Sequence, residues 1–416
     1  MMNAFDTEKG VSLKNLSPAP ESFGIYCVCS GFGFPFGTAS TKRVRLFGRC
    51  LVTCGIPFHV WHIGPSSFGE NKQKNGEYEG LTYEYLSPSV RRPDSVIKRI
   101  LYYLWGCVLL LFRLIRHRRN SFVYVYSQGD FINLWTLFLC RLIKIPVAQE
   151  VCEWWPGTPR ENFFNGWMYR SVMFRWSNGA LPISHEIEAR IRVLAKPDYP
   201  LCLVPVLVDP VEKNTQIEDA RHESSSPVFL WCGSVDGYQR DVLFLIDALA
   251  QLTSAVGKSA VLRIVGPCTE NGRAELMAYV RSKNISGERL DIAGFVSEQQ
   301  LWSYCAQAEA LLMPLWDDDR SCTRFPTKLG QYVAAGRPIV TALVGEMKYF
   351  LTAENAMFYP SGDAAGLARS LDTLLTNPSL GDRLASNATR DVLPKVDFRS
   401  NAKRISQWFQ QIRLGF

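Results

Sequence analysis

Lys328 stands two residues after a proline and eight before a glycine, and that spacing can hold an anion. The segment Arg324-Phe-Pro-Thr-Lys328-Leu-Gly-Gln331-Tyr-Val-Ala-Ala-Gly336-Arg-Pro338-Ile-Val-Thr341 predicts a short helix over about Thr327 to Ala335. Pro326 at its start wastes no amide and already has a helical φ. Gly336 lies just past its end, where a left-handed cap belongs, and Pro338 prevents continuation. A helix N-terminus offers free N–H groups and the positive end of the dipole to an anion. Lys328 adds a full charge in the first turn, and Gln331 lies three residues on along the same face. A phosphate at the helix end with a polar side chain one turn deeper suits a nucleotide whose ribose lies beside its diphosphate. An ordinary capped surface helix carries the same local pattern.

Val151-Cys152-Glu153-Trp154-Trp155-Pro156-Gly157 is a second candidate. A carboxylate beside two indoles can hold a sugar by a hydrogen bond and stacking. Two tryptophans can equally pack between domains or touch a membrane. His185 follows an apolar strand and is a weaker candidate, since a surface or core histidine has the same setting.

These residues must be held at strand ends, and the apolar rhythm supplies the strands. Short apolar runs at Ile25–Cys29, Phe58–Ile63, Leu81–Tyr85, Phe122–Tyr126, Val147–Glu150 and Ala180–Ile183 alternate with helical stretches. The latter include Lys42–Thr53, Ile97–Arg118, Phe131–Ile143, Glu161–Trp176 and Ser184–Leu194. This βαβ rhythm implies a parallel sheet with right-handed crossovers and helices on both faces. It restarts with strands at Val228–Cys232, Val261–Val265, Leu290–Ile292, Ala310–Met313, Ile339–Thr341 and Ala356–Phe358. The expected fold class is α/β, with two Rossmann-like doubly wound domains facing across a cleft. The expected division is a poorly ordered tail at 1–22, an N-terminal Rossmann-like domain at 23–207 and a linker at 208–227. A C-terminal Rossmann-like domain follows at 228–380, then a helical segment at 381–416 that could cross back to the N-terminal domain. Ligands of such sheets bind in the crevice at the carboxyl ends of the strands.

The length, 416 residues, fits two domains better than one core, and the net charge of +7 suits an anionic substrate or membrane surface. No basic tail or nucleic-acid motif accompanies that charge, so nucleic acid is not an expected partner. The 12 cysteines are scattered through apolar runs without a Cys-x-x-Cys pair, which reads as reduced thiols in a cytoplasmic protein. Met1–Ser22 is polar and has no apolar core of a secretory signal. The stretch around Ile100–Phe112 is apolar over 13 residues and is flanked by Lys98, Arg99, Arg113, Arg116, Arg118 and Arg119. A span needs roughly 20 residues. A buried helix and an interfacial helix on anionic lipid both remain open for it.

Three further pieces accompany the Lys328 segment. Trp231-Cys-Gly233-Ser234-Val-Asp-Gly-Tyr-Gln-Arg240-Asp241 ends a strand in glycine and reaches a basic residue a few positions later. Leu262-Arg-Ile-Val-Gly266-Pro is a strand and its turn, and Asp291-Ile-Ala-Gly294-Phe295-Val296 is another. In this order, from about Phe229 to Tyr359, they resemble the C-terminal domain of GT-B fold glycosyltransferases, specifically the large retaining family 4, or glycosyl transferases group 1. In the N-terminal half the resemblance is architectural, with Gly31-Phe-Gly33-Phe-Pro-Phe-Gly37-Thr38 similar to the family's glycine-rich loop after the first strand.

The resemblance implies roles. Arg240 and Lys328 would grip the donor diphosphate and act as the catalytic residues, a guanidinium matching two phosphate oxygens at once. Gly233, Ser234, Phe295, Val296, Pro326, Thr327 and Gln331 would line the donor, and Gly33, Gly37, Thr38, Gln128 and Glu153 the acceptor side. No cofactor or metal ion is expected. Most of the family carries two glutamates eight positions apart where this chain has Thr323 and Gln331, and many relatives carry a histidine near Gln128 where this chain has none. The implied function is transfer of a sugar from a nucleoside diphosphate to a saccharide or lipid-linked hydroxyl with retention, in polysaccharide or glycoconjugate synthesis. The implied location is cytoplasmic, at the inner face of the membrane if 97–119 is interfacial. A non-catalytic partner subunit, and an epimerase or phosphorylase on the same architecture, remain alternatives.

Overall fold

Each short apolar run forms a strand, and the strands gather into two sheets. The computed structural model describes residues 23–126, 129–212 and 226–415. The tail at 1–22, Gln128 and most of the 208–227 linker lie outside them.

The first sheet contains β1 (Gly24–Cys29), β2 (Phe58–His62), β3 (Asn75–Tyr78), β4 (Leu81–Tyr85), β5 (Ser121–Tyr126), β6 (Val147–Val151) and β7 (Gly179–Pro182). Their order is β3-β4-β2-β1-β5-β6-β7. The second contains β8 (Val228–Cys232), β9 (Val261–Val265), β10 (Leu290–Gly294), β11 (Ala310–Met313), β12 (Ile339–Thr341) and β13 (Met357–Phe358), in the order β10-β9-β8-β11-β12-β13. The second sheet is parallel throughout. The first is parallel except for β3, which joins β4 as an antiparallel edge. Asn-Gly-Glu-Tyr has no apolar alternation, and none of its residues is buried, so nothing in the pattern marked β3 as a strand. The strand order places β1 and β8 at the interior of their sheets, each with partners on both sides.

Three other elements depart from the sequence reading. The stretch read as one helix over Glu161–Trp176 is α-helical at Phe163–Trp167 and Phe174–Trp176, with a π-helical turn at Met168–Met173 between them. An apolar periodicity tolerates this one-residue widening, so it leaves no sequence mark. The helix expected to begin at Thr327 begins at Leu329, because Pro326 and Leu329 close a tighter turn (Leu329 N–H to Pro326 carbonyl, 3.1 Å). The boundary drawn at 380/381 falls inside the helix Pro378–Asp391, which Asn377 caps and Pro378 starts.

The last helix, Phe398–Leu414, packs against Ala39–Thr53 of the first domain. Phe409 lies edge-on to Phe47 and Phe122, and Phe47 stacks on Tyr124 at 4.5 Å. The chain therefore crosses between domains twice, and the crossings touch. Val208 N–H donates to the Val396 carbonyl (2.9 Å), and Phe398 N–H donates back to the Val208 carbonyl (3.1 Å). Asp209 beside them is buried and accepts from Arg49 at 2.6 Å and Arg399 at 2.8 Å. All twelve cysteines are free thiols.

Candidate active site

Three strand ends of the second sheet are locked to one another by backbone. Gly233 closes β8, and its N–H donates to the Val265 carbonyl at 2.9 Å. Gly266 N–H donates to the Gly294 carbonyl at 2.8 Å. Gly266 has φ 143°, and a Cβ there would lie 2.0 Å from the Gly233 carbonyl oxygen. Only a residue without a side chain lets these turns approach so closely. The result is a continuous rim carrying Ser234, Phe295 and Val296, with the Phe295 ring 80% exposed.

The helix Leu329–Ala335 docks beside that rim. Tyr332 is buried and accepts the Cys232 N–H on its hydroxyl at 3.1 Å, which ties the helix to the end of β8. Gly336 ends the helix at φ 71°, the left-handed cap its position called for. Lys328 is the N-cap residue, and its ammonium forms no hydrogen bond or ion pair among the described residues. Thr327 is exposed and Pro326 half-buried beside it. Gln331 is only 6% exposed, and its side-chain Nε2 is buried without a hydrogen-bond partner. An orphaned buried amide is costly, so a ligand group that meets it gains affinity.

Arg240 lies in the first turn of the helix Gln239–Ala250. Its guanidinium rests 3.5 Å from the ring centre of Trp316 and touches Asp318 only at 3.4 Å. Trp316 is itself fixed by donating Nε1–H to Asp241 at 2.7 Å. Burial raises the Asp241 carboxyl above its ordinary range, and the Trp316 bond offsets part of that. Stacking leaves the N–H fork of Arg240 largely unspent. The acidic run Asp317–Asp319 is partly helical. Asp318 caps the helix Asp319–Thr323 by accepting from Ser321 N–H at 2.8 Å. Thr323 turns inward and donates its hydroxyl to the Asp319 carbonyl at 2.9 Å.

The first domain faces this rim. Glu153 holds Arg324 across the cleft, with contacts of 2.9 to 3.2 Å, and Arg324 also reaches the Tyr238 hydroxyl at 3.4 Å. Tyr169, from the π-helical turn, donates to the Glu153 carbonyl at 2.7 Å and so sets that residue's backbone. His185 bonds through Nδ1 to Glu346 at 2.8 Å and stacks on Tyr349 at 3.8 Å. Burial raises the Glu346 carboxyl, against the lowering by its His185 bonds. Ser184 donates to the Thr323 carbonyl at 2.7 Å. Lys42 pairs with Glu298, which brings the loop before Ala39 close to the Phe295–Val296 rim.

The glycine-rich loop spends much of its polarity on the protein itself. A Cβ on Gly33 would meet the Asn71 amide at 2.4 Å, and one on Gly37 would meet the Thr41 hydroxyl at 2.1 Å. Phe34 N–H goes to Tyr85 and Phe36 N–H to Asn71. Thr38 and Gly37 remain exposed, and Thr38 makes no capping bond with its side chain. Sequence reasoning did not reach Trp316, Tyr238 or Glu346. Arg324 was visible in its motif, but its partner Glu153 lies 171 residues away.

Residues 226–377 match the family model described as Glycosyl transferases group 1. That match lies within the second sheet and its helices. Both sheets and their helices superimpose on solved GT-B structures, over 92 to 95% of the chain, at sequence identities that show the fold alone. Sucrose-phosphate synthase from Thermosynechococcus elongatus matches with TM-score 0.75 and 14% identity, over 95% of this chain and 100% of that one. HepE from Anabaena, in complex with UDP and glucose, matches with TM-score 0.70 and 12% identity over 95% and 100%. WaaG, a glycosyltransferase involved in lipopolysaccharide biosynthesis, matches with TM-score 0.64 and 15% identity over 92% and 98%. No curated protein matches the sequence. The family match and the two-sheet architecture together make this a glycosyltransferase of the GT-B type. The group 1 domain carries Gly233, Ser234, Arg240, Phe295, Val296, Pro326, Thr327, Lys328 and Gln331, while Gly33, Gly37, Thr38 and Glu153 stand on the opposing domain.

Proposed function

We propose that this GT-B glycosyltransferase moves a sugar from a nucleoside diphosphate to a hydroxyl of a saccharide or lipid-linked acceptor, with retention, in polysaccharide or glycoconjugate synthesis. The buried, unpartnered amide of Gln331 one turn from the unpaired Lys328 carries this reading. Gln331 meets a ribose hydroxyl, Lys328 and Arg240 take the diphosphate, and the Phe295–Val296 rim lies against the base. As the sugar leaves, negative charge builds on the β-phosphate. Arg240 and Lys328 stabilise that charge without a metal ion. Glu153 and the exposed Thr38 face the acceptor.

The acceptor side suggests a location at the inner face of a membrane. No helix of the described residues is long and apolar enough to cross one. The helix Val96–Arg116 instead buries Gly106, Cys107, Leu110 and Leu114 and leaves Ile97, Leu101, Leu104, Trp105, Val108 and Phe112 exposed. Arg116 in its last turn, with Arg118 and Arg119 just beyond, adds the cationic flank that favours anionic lipid, while Arg113 is paired with Glu84 at 2.6 Å.

Thermal shifts with UDP, GDP and ADP and their sugar conjugates, on wild type and Lys328→Ala, test the donor site. Stabilisation by one nucleotide family, lost in the mutant, is the expected result. No shift with any nucleotide would sink it. The inward turn of Thr323 favours one rival, a non-catalytic partner subunit. Donor-dependent stabilisation without turnover across a broad acceptor panel would select that rival.

A further inference from the structure

The end of the first domain away from the cleft holds a second concentration of charge. Three helical runs finish there, before the amino ends of β6 and β7: Phe131–Ile143, Phe174–Trp176 and His185–Leu194. Between their ends lie two adjoining depressions of about 570 and 480 Å³. Arg141, Lys144, Arg175 and Lys196 line them, with the half-buried Trp176 as a floor and no carboxylate in the lining. None of the four cations makes an ion pair or hydrogen bond among the described residues, and Arg141 only approaches the Trp176 ring at 6.0 Å. Cations do belong at helix C-termini. Three such ends carry roughly −1.5 charges in total, about −0.5 each. Four cationic side chains exceed that, so well over one positive charge is left without a counterpart.

We propose that this depression is a binding site for a phosphate group. A monoester or diester carries one to two negative charges, which the excess of about 2.5 positive charges can neutralise. Arg141 and Arg175 can offer planar N–H forks to its oxygens. The site lies at the strand ends opposite the donor cleft and does not depend on what the cleft binds. Leu142 and Phe138, on the helix that supplies Arg141, are exposed beside it. An anionic phospholipid headgroup, with its chains against that apolar flank, and a soluble phosphate are the two sources of this chemistry.

The test compares wild type, Arg175→Ala/Lys196→Ala and a control, Lys258→Ala/Arg281→Ala, which removes two exposed charges from the other domain. Each protein is titrated with inorganic phosphate by calorimetry. Each is also sedimented with vesicles of phosphatidylcholine alone and with phosphatidylglycerol added. Nucleotide responses are read in parallel and stay equal in all three. Loss of the two pocket charges lowers affinity by about thirtyfold, at about 1 kcal/mol per cation near an anionic surface, while the control binds as wild type. Loss confined to phosphatidylglycerol vesicles assigns a lipid source, and loss with inorganic phosphate assigns a soluble one. Wild-type binding in the pocket variant, an equal loss in the control, or no binding of either probe by wild type overturns the site.

Discussion

Replacing Gln331 by leucine should strengthen the folded protein and weaken its ligand binding at once. Gln331 is 6% exposed, and its Nε2 has no partner. Burying a polar group unpaired costs about 1–3 kcal/mol. Leucine fills a similar volume without that debt, so Gln331→Leu should raise the stability of the C-terminal domain by up to about 1–3 kcal/mol. The same free energy is what a ribose hydroxyl recovers by meeting the amide. Nucleotide affinity should therefore fall roughly 5- to 150-fold in the mutant. Scanning calorimetry without ligand measures the first effect, and isothermal titration with the nucleotide found by thermal shift measures the second. The opposed signs are diagnostic, because a merely structural glutamine would lower both. A destabilised mutant that binds nucleotide as wild type does would refute the reasoning.

Gly266→Ala should cost about 2–4 kcal/mol by denaturant titration, since the added carbon meets the fixed Gly233 carbonyl and the φ of 143° disfavours any side chain. Arg324→Ala should change stability by no more than about 1 kcal/mol, because its bond to Glu153 is partly exposed. Small-angle scattering should then show a more open pair of domains. Burial alone would raise the Asp209 carboxyl, but hydrogen bonds from Arg399, Val211 and Arg49 hold it below the ordinary aspartate value. Its contribution to stability is thus present above about pH 4, the unfolded value, and is lost as pH falls through the depressed one. Asp209→Asn should flatten that part of an acid-denaturation curve.

The parts of this fold legible in the sequence are those written locally. Pro326, Gly336 and Pro338 punctuate a helix wherever it sits, and the observed cap at Gly336 follows from the residue type. Apolar runs gave the strands for the same reason, and β3 escaped because Asn75–Tyr78 carries no such run. What the sequence did not disclose is mostly long-range. Arg240 was recognisable through its segment's resemblance to the family's strand-ending glycine and following basic residue, but its seat on Trp316 joins residues far apart in the chain. The Glu153–Arg324 and His185–Glu346 pairs belong to separate domains, and no periodicity within either one encodes them. The basic depression behind the first sheet is assembled from three helix ends. No single stretch of sequence shows more than two of its cations.

The paired crossings at Val208 and Val396 also set the order in which this chain can fold. Phe47 and Phe122 are covered by Phe409, a residue the ribosome adds long after both. Until then the first domain carries an open apolar seam, and the second, made entirely in the interval, has no such debt. Synthesis from the N-terminus therefore finishes the C-terminal sheet first and closes the N-terminal one last. A fragment ending at the linker would keep that seam open and depend on chaperones or detergent to stay dispersed.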